Sequence, residues 1–155
     1  MNAATREALN VHRRRVVVLS YFVSALIVLY WVAWFAHRSL VATSTAATYT
    51  NFEQAFPLAD GLIVVWVLFG ARALKRRSSL AVPFFLLGAG AGFYLGAMDV
   101  LFDLEHGVWA KGANGLVELA INVATFTLSS YFARWAWTNR RELDPGGDGV
   151  PACGQ

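Results

Sequence analysis

Four long apolar blocks constrain this chain more than any other feature of its sequence. They cover residues 16–36, 56–74, 80–102 and 115–137. A helix that crosses the hydrocarbon of a bilayer needs about 20 apolar residues, and each block is close to that length. The blocks lack the two-residue alternation of a membrane barrel. The sequence therefore predicts an all-α membrane protein, a four-helix transmembrane bundle.

The basic residues predict how this bundle is oriented. Only 15% of the residues are charged, below the roughly 25% of a soluble domain. Basic residues concentrate in the N-terminal segment, around the loop between the second and third blocks, and at the C-terminal end of the fourth block and beyond it: Arg6, Arg13, Arg14, Arg15, Arg72, Lys75, Arg76, Arg77, Arg134, Arg140 and Arg141. Because cytoplasmic loops carry the excess of basic residues, we expect both termini in the cytoplasm and a multi-pass protein of the cell membrane. The formal net charge of +3 then reflects topology, and no nucleic-acid partner is expected.

The remaining segments give a simple domain organisation. We expect a basic N-terminal arm over residues 1–15, a transmembrane domain over 16–137 and a disordered, Gly/Pro-rich tail over 138–155. The loop over 37–55 has no helical periodicity. The single cysteine, Cys153, excludes a disulfide within the chain. Tyr30, Trp31, Trp34 and Trp109 are predicted to anchor the helices at the outer membrane interface.

Three acidic residues lie inside the apolar blocks. Asp60, Asp99 and Glu118 are each about four residues from the predicted outer end of a helix. At about 1.5 Å of rise per residue they share one depth, about 6 Å below that end. A carboxylate in hydrocarbon costs several kcal/mol, which makes each a candidate functional group. The helix dipole stabilises an acid near a helix N-terminus, as for Asp60 and Glu118, but opposes the charge of Asp99 near a C-terminus.

Other polar residues extend this candidate site. Asn122 follows Glu118 by one helical turn, and the two residues begin a polar stripe that continues through Thr125 and Ser129. Asp103 and His106 follow Asp99 at helical spacing, and His37 ends the first block. The ligand-binding candidates are Asp60, Asp99, Asp103, Glu118, Asn122, His106 and His37.

The acids can be accommodated in three ways. They hold protons, they pair with Arg38, Lys111, His37 or His106 from the rim, or they bind a cation. The candidate metal ligands are Asp99, Asp103, His106 and Glu118, but their spacing identifies no particular metal. The sequence specifies no cofactor.

Glycines in the third block predict a close helix contact. Gly88, Gly92 and Gly96 recur every four residues, and small residues at this spacing let membrane helices approach closely. Asp99 follows on the same side, so the glycine seam leads towards the acids.

Three functions fit these observations. The first is an acidic pocket near the outer face that binds a cation, a proton or a small amphiphile. The second is a membrane-embedded enzyme acting on a lipid or isoprenoid, with Asp99 and Glu118 as the candidate catalytic acid/base pair and Asn122 as an orienting donor. The third is an accessory or assembly subunit, with the acids as glue between helices and another membrane protein as partner. An apolar cavity beside the acids would favour the enzyme, whereas a compact polar cluster would favour the subunit.

Overall fold

The computed structural model describes residues 3–42 and 47–143, and this part of the chain is all-helical. Its helices are α1 (Ala3–His37), α2 (Ala47–Glu53), α3 (Pro57–Lys75), α4 (Ala81–Glu105) and α5 (Ala113–Leu143), with short 3-10 turns at Arg38–Leu40 and Val108–Ala110. Within these residues, four helical segments are long and apolar enough to cross a membrane. The predicted all-α fold with four membrane-length helices is confirmed.

The helices begin and end where local chemistry requires it. α3 begins with Pro57, whose missing N–H costs nothing in the first helical turn. Gly107 and Gly112 have φ values of 58° and 68°, and this left-handed backbone lets the chain turn back between α4 and α5.

Consecutive long helices pack side by side. α1 packs on α3, α3 on α4 and α4 on α5, whereas α1 and α5 have no comparable contact along their backbones. The four long helices therefore form a curved row with α1 and α5 at its two edges. We call the end that holds Asp60, Asp99 and Glu118 the acidic end, and the opposite end the basic end.

The glycines of α4 lie at its contacts with two helices, α5 and α3. A Cβ atom on Gly92 would collide with the hydroxyl oxygen of Ser129, and one on Gly96 would lie 3.2 Å from side-chain atoms of Thr125 and Phe126, both on α5. A Cβ on Gly88 would instead meet Val67 of α3 at 3.0 Å. The close packing is as predicted, but the seam divides between two neighbouring helices because successive glycines four residues apart rotate around the axis.

Aromatic packing fills the basic end. Phe85 of α4 stacks on Phe132 of α5 at a centroid distance of 5.3 Å. Trp135 meets the same Phe85 ring edge-on at 5.7 Å. The outward faces of the long helices remain apolar, as in the exposed Phe22, Tyr94 and Val123. Such faces suit contact with lipid.

Several sequence expectations need correction. The predicted loop contains α2, whose Tyr49 and Glu53 are buried. Helix α1 already begins at Ala3, within the predicted arm, and α5 continues to Leu143, into the predicted tail. Residues 144–155, with Cys153, lie outside the described residues.

Candidate functional site

A cavity of about 310 Å³ lies between the four long helices. Small and apolar residues form most of its wall. They come from α1 (Val23, Leu26, Ile27), α3 (Ile63, Val67), α4 (Gly88, Ala89, Gly92, Leu95, Gly96) and α5 (Ile121, Ala124, Leu128, Phe132). The glycines of α4 help to make room, because they contribute no side chain to this space.

Four carboxylates line the acidic end of this cavity. The structure brings Asp60, Asp99 and Glu118 to one wall, although they come from three different helices. The last residue of α2, Glu53, joins them and is only 8% exposed. None of the described lining residues is a lysine or arginine. The cavity is therefore apolar along its length and acidic at one end.

Aromatic side chains donate hydrogen bonds to three of these acids. The Tyr30 hydroxyl donates to Glu53 Oε2 at 3.2 Å, and Trp31 Nε1 donates to Asp60 Oδ2 at 2.9 Å. The Tyr49 hydroxyl donates to Glu118 Oε1 at 2.9 Å. Each donor comes from a different element than its acid, so these bonds hold α1, α2, α3 and α5 together.

Asp99 differs from the other acids. No hydrogen bond to its side chain is formed within the described part of the chain, and the group is only partly buried because it faces the cavity. α4 continues for six residues beyond Asp99, so the last turn, where the helix dipole disfavours negative charge, contains Asp103 and not Asp99 as the sequence predicted. Among the four acids that line the cavity, Asp99 is the one without a hydrogen bond from a described side chain.

Asp103 and Asn122 form a separate polar pair. Asn122 Nδ2 donates to Asp103 Oδ2 at 2.7 Å, and Trp109 Nε1 donates to the same oxygen at 2.8 Å. Both residues are 2% exposed and lie between α4, α5 and the turn at Val108–Ala110. Neither lines the cavity. The polar stripe of α5 thus divides between two sites, with Glu118 in the cavity and Asn122 at this pair.

The histidines and basic residues that the sequence places at the rim lie outside the cavity. His37 and His106 are exposed, and the His106 ring stacks on Phe102 at 4.1 Å. The Arg38 guanidinium lies 5.0 Å from the centre of the Trp34 ring, and Lys111 is exposed. None of them lines the cavity. Among the described residues, no group of three or more His, Cys, Asp or Glu side chains could hold a metal ion, so the candidate set of Asp99, Asp103, His106 and Glu118 does not assemble.

A layer of aromatic rings covers the acidic end, and we call it the aromatic cap. Its members are Trp31, Trp34, Tyr49, Phe52 and Phe102. Phe52 stacks on Phe102 at 3.9 Å, and Trp34 packs against Tyr49 at 6.3 Å. Trp31 and Trp34 are 8% and 1% exposed, so they are core residues and not the lipid-facing anchors that their position predicted.

Sequence reasoning missed the donors of this site. Tyr49 lies on a helix of seven residues without clear periodicity. The positions of Trp31 and Trp109 predict a place at the membrane interface, a role that tryptophans near helix ends often take. The only available signal was that several aromatic residues with N–H or O–H groups lie close in sequence to the acids, since buried Tyr and Trp usually find an acceptor.

The fold and the site together define a small helical protein with four membrane-length helices and buried acids around one cavity. No protein family model, curated protein or solved structure matches this chain.

Proposed function

We propose that this chain is a multi-pass protein of the cell membrane, with both termini in the cytoplasm, that binds a small amphiphile in its cavity near the outer face. The distribution of basic residues supports this orientation. In this orientation the acidic end faces the outside, and the lipid bilayer surrounds the apolar faces of the long helices.

One observation carries the proposal: an apolar cavity ends at four carboxylates. Its volume of about 310 Å³ is at the lower end of the range for small-molecule sites, which are mostly apolar with a few polar groups that orient the ligand. An amphiphile suits both parts, with its polar head at the acids and its apolar body between the helices. A bare cation would use the acids but leave the apolar length of the cavity unexplained.

An enzyme acting on a lipid or isoprenoid is the second candidate. Asp99 and Glu118 line the same cavity, as an acid/base pair requires. The proposed orienting role of Asn122 lacks support, because this side chain bonds to Asp103 and does not line the cavity. The subunit hypothesis draws its support from the bonds between acids and aromatic donors, but a compact polar cluster alone would need no cavity.

Matched cavity-filling variants test the proposal. Leu95 lines the cavity, whereas Leu87 on the same helix is exposed and does not. We expect decanol to raise the melting temperature of the purified parent protein, because a ligand that binds only the folded state stabilises it. Leu95→Trp should abolish this shift and Leu87→Trp should retain it. The proposal fails if no ten-carbon amphiphile, decanol included, raises the melting temperature of the parent more than that of the Leu95→Trp variant.

A further inference from the structure

We propose that the ligand of this cavity is a lipophilic amine, which enters from the bilayer between α1 and α5 and places its ammonium group beside Asp99, Asp60 and Glu53. This inference rests on the proposed function and specifies both the head group of the amphiphile and its route of access.

The hydrogen-bonding groups at the acidic end are complementary to a ligand that donates hydrogen bonds. The hydroxyl of Tyr30 and the indole N–H of Trp31 are both already used on acids. What remains is acceptor capacity on three residues that line the cavity, because the second oxygens of Glu53 and Asp60 and both oxygens of Asp99 accept no hydrogen bond from the described side chains. A carboxylate accepts up to about four hydrogen bonds through its two oxygens. A head group that donates is therefore complementary, and an acceptor-only head is not.

Among head groups that donate hydrogen bonds, the acidic lining of the cavity favours a positively charged ammonium. Four carboxylates line this end of the cavity, with no lysine or arginine among the described lining residues. An ammonium carries the opposite charge and up to three N–H donors, which suits a wall lined by several carboxylates. A charge-assisted hydrogen bond is also about twice as strong as a neutral one. An alcohol would donate one hydrogen bond and compensate no charge.

A second, independent polar group in the cavity is without a partner. Ser129 lies far from the acids on the wall of α5, is 6% exposed and forms no hydrogen bond within the described residues. A serine on a helix in an apolar environment commonly bonds back to its own backbone. Its hydroxyl oxygen lies next to Gly92, another lining residue, and an occupant that reaches this depth, well beyond the ammonium position, would supply the missing hydrogen-bond partner.

The cavity opens sideways. The lining residues of α3 and α4 are all buried or half-buried. The exposed lining residues belong to the two edge helices: Leu26 of α1 is 50% exposed, Ile121 of α5 is 41% exposed, and Ala124 of α5 is exposed as well. The opening therefore lies between α1 and α5, which lack the extensive backbone contact of the other neighbouring helices. Within a membrane this opening faces hydrocarbon.

Both ends of the cavity are covered in the described structure. The aromatic cap lies over the acidic end, and the packing of Phe85, Phe132 and Trp135 fills the basic end. Access from either aqueous side would require these rings to separate. Lateral access requires no such change, and it suits a ligand that partitions into the bilayer.

A series of probes with one tail and different heads tests the head group. Decylamine, decanol and decanoate are titrated against the full-length protein in nanodiscs, with tryptophan fluorescence as the signal because Trp31 lies at the site. We expect decylamine to bind at least tenfold more tightly than decanol, and decanoate most weakly. Equal affinity for decylamine and decanol would overturn the amine but retain an amphiphile site. Absence of binding by every probe would overturn the proposed function itself.

Matched variants then test the position of the head and the route of access. Asp99→Asn should lower decylamine affinity at least tenfold and decanol affinity much less, and Glu105→Gln, at an exposed residue of the same helix, should change neither. Ala124→Trp should slow decylamine association at least tenfold, whereas Ala120→Trp, exposed but away from the cavity, should not. If Asp99→Asn does not fold, Asp60→Asn provides the same test of the position of the head group. Equal amine affinity in Asp99→Asn, Asp60→Asn and parent would overturn the assignment of the head, and equal association rates in both tryptophan variants would overturn lateral access.

Discussion

The contact between α4 and α5 at Gly92 gives a quantitative test of the packing. A Cβ on Gly92 would collide with the Ser129 hydroxyl oxygen, whereas a Cβ on Gly90 would find no atom within 4 Å. We therefore compare Gly92→Leu with Gly90→Leu. The two sites lie two residues apart on the same helix, so both substitutions gain the same helix propensity, about 0.8–1 kcal/mol relative to glycine. The difference between them isolates the contact.

The magnitude follows from where the added atoms lie. The backbone fixes the position of the Cβ, so no rotamer of leucine removes its collision with Ser129. The outer carbons can extend into the cavity that Gly92 lines. Inserting carbon atoms into a packed interior typically costs about 1–3 kcal/mol. We expect Gly92→Leu to be less stable than Gly90→Leu by about this amount. The Ser129 hydroxyl must rotate away from the new Cβ in either variant, and Gly92→Ala should lose less because alanine adds no outer carbons.

The assay is equilibrium unfolding of the purified variants in detergent, monitored by tryptophan fluorescence. Gly90→Leu should unfold at or slightly above the denaturant concentration of the parent, and Gly92→Leu well below it. Equal unfolding midpoints for the two leucine variants would refute the close contact of α4 with α5. A loss of stability in Gly90→Leu alone would indicate that α4 is rotated relative to its neighbours.

Two further predictions concern topology and the site. In a Cys153→Ser background, an impermeant thiol reagent applied to intact cells should label Thr45→Cys but not Ser78→Cys, and the reverse pattern would contradict the proposed orientation. Tyr49→Phe removes the hydroxyl that donates to Glu118 and should destabilise the protein by about 1–3 kcal/mol in thermal melts, the range for a buried polar group that loses a hydrogen-bond partner. An unchanged melt would show that this bond does not hold α2 on the bundle.

The fold was predictable from the sequence because membrane-length helices require long apolar segments, and such segments are visible without tertiary information. The sequence also predicts one depth for Asp60, Asp99 and Glu118, about four residues from a helix end, whereas in the structure Glu118 is the sixth residue of α5 and Asp99 lies six residues before the end of α4. The structure brings these acids to one cavity. Position along the helix axis was therefore sufficient to predict that these three acids belong to one site.

Rotation around the helix axis was harder to predict. Asp99 and Asp103 are one turn apart and differ by about 40° around α4, which appears small on a helical wheel. Yet Asp99 lines the cavity and Asp103 bonds to Asn122 outside it, because the edge of the cavity falls between them. The same applies to Glu118 and Asn122 on α5. Which side of such an edge a residue occupies depends on how the neighbouring helices pack.

The structure of α2 could not be predicted from its own residues. This helix of seven residues lies where the sequence shows no helical periodicity. Short isolated helices are marginal in water, and most of their stability comes from packing. Here Tyr49 and Phe52 pack against Trp34 and Phe102. The aromatic cap, and with it the position of Glu53, therefore depends on partners that are distant along the chain.

A comparison of Asp99 with Asp103 distinguishes an acid that binds a ligand from an acid that holds helices together. Asp103 accepts hydrogen bonds from Trp109 and Asn122, whereas Asp99 has no hydrogen bond in the described structure. Asp103→Ala would leave buried donors without an acceptor, at a cost of about 1–3 kcal/mol for each group. Asp99→Ala removes a partly buried carboxylate that accepts no hydrogen bond in the described structure, so we expect an unchanged or higher melting temperature.

The two alanine variants carry the same gain in helix propensity, so their melting temperatures can be compared directly. Functional groups are often retained at a cost in stability, and their removal then stabilises the fold while it impairs activity. A stable Asp99→Ala variant that no longer distinguishes decylamine from decanol would follow this pattern. If Asp99→Ala instead melts as low as Asp103→Ala, the acid contributes to the fold like the others. Asp99 would then be part of the contacts between helices, and the assembly subunit would become the better interpretation of the buried acids.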